Sequence, residues 1–501
     1  MEFNYKNKTV KAYWDDMDKI KNSVVTRAVE CAQLTIPSVF PKEGFTDENT
    51  LDDVYQSFGA RAVLNLSSKF MQTLFPPTHT FFKMTPSKEL EEQILTRGQE
   101  GLDFLNKELI KLETAIVNEL ERQSLRRPIH EAMKLLTVTG NVLLWKDEEG
   151  MTVFNLRDYS VKRDASGNIL DIIVREKISP LMLPKDIQVS DSTVDNVDVF
   201  TRIVFDGEKY QMYQEVEEQT ITGSEKTFDK DEPLPFIVLR WTANANSHYG
   251  RGLVEHYIGD LRNYEALNIA VVDTASVMAR TLFLVNPNSQ YGTDVKSLNE
   301  AVTGDYISGH AEDITVPQTN KNSDMANLLQ YMQSLELRLS QAFLLFTRRD
   351  AERVTAQEIR QVSQALEETL GGVYTLLAED LQKPLLSLMM KDLNIKLEKE
   401  IDTVITTGLD ALGRGSDANK LMTFLEMASL VPNAWNYLNQ KVITERLAYS
   451  NGIPLDGLFK TEEQLQQEAQ QAQQMQTEEQ FANSLAQQAG QEIPKTLGGQ
   501  Q

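Results

Sequence analysis

Residues 347–360 read TRRDAERVTAQEIR, a knot of charge between LSQAFLLF at 339–346 and QVSQALEETLGG at 361–372. Both flanks carry apolar residues at helical spacing, which raises the question of what so short a polar interruption is for. Thr355 can cap a helix start, Glu358 three residues on completes a capping box, and Val354 can staple onto Ile359. Three local signals agree on one boundary. Arg348, Arg349, Asp350, Glu352 and Arg353 are therefore read as a polar loop that joins two helices.

Upstream of the loop, Met325, Leu328, Met332, Leu335, Leu339, Phe343 and Phe346 repeat every three or four residues. An earlier helix, from Arg251 to about Met278, does the same through Val254, Ile258, Leu261, Tyr264, Leu267, Val271 and Ala275. Each is expected to be about 35–40 Å long at 1.5 Å per residue. The stretch 283–322 between them is rich in Gly, Asn, Asp and Pro, which places it at the far tip of two rods that project together. Leu253 and Tyr257 on the first helix, and Leu337 and Leu344 on the second, lie off the main stripe and ask for a second partner. Downstream, the helix opened by Thr355 is expected to run to about Leu393. Gly371 and Gly372 each cost it about 1 kcal/mol relative to alanine, and Pro384 removes a backbone hydrogen bond, so a helix bent in its middle is expected.

The first 140 or so residues are mainly helical in pattern, with Pro76 and Pro77 stopping one long helix and a second running from Glu89 to Ser124. From Asn141 the period changes. NVLLW, MTVFNL, YSVKRDASGNILDIIVREK and VDVFTRIVFDGEKYQMYQEVE are strand-like, with alternation clearest at Val197, Val199, Thr201, Ile203 and Phe205. Ser166-Gly167-Asn168 and Asp206-Gly207 supply hairpin turns, and PLPFIVLRW closes the sheet. The expected class is α+β, mainly helical, with an antiparallel sheet inserted. The region after 396 reads as shorter helices, and the Gln- and Ala-rich stretch from Thr461 has few apolar anchors, the composition of a flexible tail.

The chain has 501 residues, 41% hydrophobic and 25% charged, an ordinary globular balance. Its single cysteine, Cys31, excludes a disulfide framework and suits a reducing compartment. The first residues lack the apolar core of a secretion signal, and no apolar run approaches the roughly 18–20 residues of a membrane span. The net charge of −23 argues against static gripping of a duplex, whose affinity comes largely from neutralising phosphates. No catalytic set stands out. The histidines His79, His130, His248, His256 and His310 are scattered without metal-ligand spacing, so neither a metal nor a cofactor is expected. GLDALGRG at 408–415 imitates a phosphate loop, but Arg414 stands where Lys is required. Cys31 is read as a buried small apolar residue, and Asp15-Asp16 and Asp52-Asp53 as solvated pairs.

In order along the chain, ECAQLTIPSVFP, GARAVLNLSSKFMQTLFPP, TVTGNVLLW, YSVKRDASGN, SHYGRGLVEHYIGDLRNYEAL, TGDYISGHAEDI, ERVTAQEIRQVSQALEETLGGVYTLLAEDLQKPLL and TTGLDALGRG resemble the portal, or head-to-tail connector, proteins of short-tailed (podovirus) bacteriophages. The resemblance spans roughly residues 10–455. It implies a non-enzymatic homo-oligomer, twelve subunits at one capsid vertex of the virion, assembled in the host cytoplasm. Double-stranded DNA would be packaged and ejected through its axis. The implied divisions are a wing at 1–250, a first stem helix at 251–281, a clip at 282–320 and a second stem helix at 321–346. A tunnel loop follows at 347–354, a long kinked wing helix at 355–395, a crown at 396–460 and a tail at 461–501. Implied partners are the terminase, tail adaptor and tail tube proteins, and capsid and scaffolding proteins. A non-channel helical scaffold or tail adaptor is the alternative, and an ATPase built on Arg414 a weaker one.

Overall fold

The computed structural model describes residues 8–46, 49–51, 54–76, 80–96, 99–147, 150–184, 187, 195–279, 284–285, 300, 302, 314–315, 322–345, 371–396, 400–406, 421–422, 424–431, 434–438 and 440–450. The chain divides into two compact units, 1–411 and 412–501.

The first unit begins with helix α1 (Val10–Gln33), capped by Thr9, whose side chain accepts from the Ala12 N–H. Helix α2 (Phe58–Leu74) buries Ala62, Val63, Leu66 and Phe70 at helical spacing and leads to strand β1 (Phe82–Pro86). The long pattern read from Glu89 to Ser124 is two helices, α3 (Lys88–Leu95) and α4 (Gln99–Arg122). Helix α5 (Arg126–Thr139) presses Ile129, Met133 and Leu136 into the main core and ends on Gly140, in the left-handed conformation with φ 75°.

The strand-rich region forms two sheets, not one. Strands β2 (Asn141–Lys146) and β3 (Met151–Phe154) pair with β10 (Phe236–Arg240) in the order β10-β2-β3. PLPFIVLRW therefore closes the small sheet, where its FIVLR is buried at every position. The larger antiparallel sheet orders β4 (Tyr159–Arg163), β5 (Ile169–Ile178), β6 (Val197–Phe205), β7 (Lys209–Val216) and β8 (Gln219–Thr220), with β9 (Lys226–Asp229) also on β7. Its turns fall at Gly167 (φ 95°) and Gly207 (φ 108°), the glycines of the predicted hairpins. The alternation expected of β6 holds at Val197, Asp198 and Val199, where the aspartate is exposed, and is lost from Phe200 to Val204, where both faces are covered. Val10 and Trp14 of α1 pack on Phe200 and Ile173, and Arg202 on the same face is fully buried against Asp171.

After the sheets the chain turns helical again. The helix expected from Arg251 is interrupted: a single turn, α6 (Leu253–His256), precedes α7 (Ile258–Ala279). Short strands β11 (Leu284–Val285) and β12 (Ile314–Thr315) pair antiparallel before α8 (Asn322–Ala342). Residues 371–377 are helical and run into a π-helical turn, Ala378–Gln382, then α9 (Lys383–Asp392). Strand β13 (Ile401–Ile405) returns to pair antiparallel with β1, a pairing no sequence pattern announced. In the second unit, a 3-10 turn at Ala434–Tyr437 is followed by α10 (Gln440–Ser450).

Candidate functional site

The expected polar loop and its cap, Arg348, Arg349, Asp350, Glu352, Arg353, Val354, Thr355, Glu358 and Ile359, lie outside the described residues, as do GLDALGRG and the tail. What the structure describes is the frame around them: α7 and α8, the second of which ends five residues before the loop, and the helices and strands that hold both.

The stem pair α7 and α8 meets through Leu261, Leu335, Leu339 and Phe343, all fully buried, and through the Tyr257 and Phe343 rings, 5.8 Å apart. Arg338 on α8 reaches Asp260 on α7 at 3.0 Å. Three of the four apolar residues expected to seek an outside partner are covered by the chain itself. Leu253 and Leu344 belong to the main core and Tyr257 packs against it; for Leu253 this follows from α6 packing on α5. Leu337, 63% exposed, remains uncovered, and Val272, Leu329 and Tyr331 join it.

Residues before the sheets hold the roots of these helices by polar contacts. Arg262 Nε donates to Glu30 on α1 at 2.6 Å, and Glu265 accepts the Tyr55 N–H at 2.8 Å. Arg27 pairs with Glu255 at 3.2 Å. Along α2, Arg61, Asn65 and Lys69 stand four residues apart on one face. Arg61 pairs with Glu336 at 3.0 Å, while Asn65 and Lys69 both donate to the carbonyl of Leu344. Burial alone lowers the Lys69 ammonium to a pKa of about 8. Sequence reading passed over this row, although R-x3-N-x3-K in an otherwise apolar helix was the signal for it.

Two of the quoted motifs clasp each other where the sheets hand over to the stem. Asn141 Nδ2 donates to Gly250 O at 2.9 Å, and Gly250 N–H returns a bond to Asn141 Oδ1 at 2.7 Å. A Cβ on Gly140 would lie 2.3 Å from the Gly252 nitrogen, so the close crossing of TVTGN and HYGRG requires glycine there.

Gly371 and Gly372 begin the helical stretch described from residue 371, and a Cβ at either would meet nothing within 4 Å. Pro384 stands two residues past the π turn, in the first turn of α9. Asp380 within that turn is raised in pKa by burial, against the opposing charges of Arg163 and Arg240. Cys31 is buried, its thiol pushed up to about 12 by burial and then by Glu255 and Glu30. His248 accepts the Arg163 N–H at 3.1 Å through Nδ1, a structural use of the ring. Among the described residues no group of three or more His, Cys, Asp or Glu could hold a metal, and no helix is long and apolar enough to cross a membrane.

The described residues thus present two long helices braced on a body of helices and antiparallel sheets. Residues 7–458 match the family model of the bacteriophage head to tail connecting protein. This chain belongs to that family. The portal protein of Enterobacteria phage T3 is 38% identical over 480 residues, covering 91% of this chain and 89% of that one. The portal protein of Escherichia phage T7 is 39% identical over 476 residues, covering 90% and 88%. That of Enterobacteria phage SP6 is 32% identical over 494 residues, covering 94% of each. Among solved structures, a chain from the neck of an empty GTA particle covers 84% of this chain and 94% of its own length. Its TM-score is 0.43 at 13% identity, too loose to carry detail onto these residues. The fold of this family member is α+β and mainly helical.

Proposed function

We propose that this chain is the repeating subunit of a portal ring. Identical copies, twelve by the family resemblance, would surround a bore at one capsid vertex through which double-stranded DNA is packaged and later ejected. The observation that carries this reading is the uncovered flank of the stem: Val272, Leu329, Tyr331 and Leu337 stay exposed on helices whose facing sides are already packed. Apolar area left in water costs roughly 25 cal/mol per Å², and sister stems arranged side by side would cover it. The loop at 347–354 then turns Arg348, Arg349 and Arg353 toward phosphates, offset by Asp350 and Glu352. The rest of a chain with net charge −23 discourages lasting contact, since every persistent phosphate bond resists sliding.

In this reading the clip at 282–320 docks first the terminase, whose ATPase does the work, and then the tail adaptor and tail tube proteins. The wing meets capsid and scaffolding proteins, and the chain is a virion component assembled in the host cytoplasm that performs no chemistry itself. Gly371, Gly372 and Pro384 make the long wing helix bendable. Native mass measurement with negative-stain imaging of the purified full-length chain tests the reading. A closed ring with a central hole is expected. A monomer at high concentration, or a solid rod, would sink the channel and favour an adaptor. Packaging and ejection by Arg348→Ala and Arg349→Ala variants test the loop: wild-type DNA handling by an unstable ring would reject a phosphate contact.

A further inference from the structure

The end of α8 is built in a way that its own sequence does not favour. The helix stops at Ala342, and Leu344 takes up a left-handed conformation, φ 53°. Glycine is the usual occupant of such a position, and an L side chain there costs roughly 1–2 kcal/mol. The Leu345 N–H closes back on Ser340 O at 2.7 Å and the Leu344 N–H on Gln341 O at 3.2 Å. Phe343 and Leu344 are buried, so the turn is pinned from below by packing. From the side it is pinned by α2: Asn65 Nδ2 lies 3.4 Å from the Leu344 carbonyl, and the Lys69 ammonium donates to the same oxygen. A cation is the donor best suited to a helix C-terminus, where the last carbonyls carry the negative end of the dipole. One turn and more back along α8, Arg61 pairs with Glu336 at 3.0 Å and sets the rotation of the helix against α2.

We infer that Lys69, with Asn65, is the positioning residue of the 347–354 loop: it clamps the Leu344 carbonyl and so fixes the direction in which the chain leaves the stem. Leu344 lies three residues before the loop begins, so a turn released at this carbonyl re-aims everything that follows. The inference rests on the proposal that this loop faces DNA. Lys69 itself touches no DNA in this account. Its effect passes through the backbone of residues 343–345.

The test uses the assembled full-length protein with Lys69→Met, which keeps the length of the side chain and removes the charge, and Lys69→Arg, which restores a cationic donor. Hydrogen exchange of peptides spanning 340–350 reads the clamp directly. A charge-assisted hydrogen bond is among the stronger ones, so Lys69→Met is expected to raise exchange there about tenfold while peptides from α5 and β6 stay unchanged. Genome retention in particles is expected to fall in Lys69→Met and to recover in Lys69→Arg. Unchanged exchange across 340–350 overturns the inference. Faster exchange with normal retention also overturns it, provided that Arg348→Ala and Arg349→Ala do impair retention. If those arginine variants are silent as well, the DNA-facing reading of the loop is what fails, and the exchange data decide the clamp alone. Should Lys69→Met not assemble, Asn65→Leu removes the second donor to the same carbonyl and is read the same way, with a smaller rise expected.

Discussion

The wing sheet and the stem pair treat their apolar surface in opposite ways. From Phe200 to Val204 strand β6 is covered on both faces, by α1 at Phe200 and by the main core at Ile203, and even its Arg202 is fully buried beside a carboxylate. On the stem, Leu261, Leu335, Leu339 and Phe343 bury one side completely, whereas Val272, Leu329, Tyr331 and Leu337 are left in water. From Phe200 to Val204 the strand is finished within the single chain. The α7–α8 pair is not finished in this way, and the ring proposed above would cover what it leaves exposed.

The largest effect that would break this comparison is on the wing. Arg202 is fully buried, and its Nε and Nη2 reach the two oxygens of Asp171 at 3.0 and 2.6 Å. Asp171→Ala leaves that guanidinium buried without its carboxylate, and a loss of about 3–5 kcal/mol is expected in urea unfolding. A loss below about 1 kcal/mol would mean that the sheet face opens to water and is not self-contained.

Next in size is a contrast between two leucines. Leu66 has 0% exposure in the core and Leu337 has 63%. Leu66→Ala should cost about 2–5 kcal/mol of subunit stability whether or not the protein is assembled. Leu337→Asp should leave the subunit within about 0.5 kcal/mol of wild type, the usual range for surface changes, and yet shift the mass distribution toward smaller species. Rings of full size and normal stability from Leu337→Asp would show that this flank is not the contact.

The smallest effect concerns pH. Lys21 is buried on α1, where its ammonium reaches Tyr159 O at 2.9 Å, Ser160 Oγ at 3.1 Å and Asp18 at 3.0 Å. Burial still pushes its pKa down to about 8, against about 10.4 in an unfolded chain. Between these values the unfolded state binds more protons than the folded one, so this residue makes stability rise with pH from about 8 to about 10. Lys21→Met should remove that slope, measured as the difference between the two proteins in denaturant melts at pH 7.5 and 9.5, roughly the edges of the window. An equal slope in both would show that Lys21 is not the desolvated group that the geometry makes it.

Much of the fold was readable from local chemistry. Helical spacing located α2, α7 and α8, the period-two run located β6, and Gly167 and Gly207 turned the hairpins where their conformational freedom said they should. Where reading failed, a distant segment had intervened. Strand β13 joins β1 across more than three hundred residues, and β10 joins β2 and not the larger sheet. Trp14 and Val10 erase the polar face that alternation in β6 implied.

By itself the sequence determined the order of helices and strands, the acidic balance and the family, because periodicity, turn residues and charge are local and cumulative. Only the tertiary structure decided that Leu253 and Leu344 are core while Leu337 is not, since all three are apolar residues off the main stripe and only packing tells them apart. It also decided that a helix ends on a left-handed leucine. Leucine has no preference for that conformation, and the turn is held by its own backbone bonds, by the burial of Phe343 and Leu344, and by the lysine and asparagine of another helix that donate to its carbonyl.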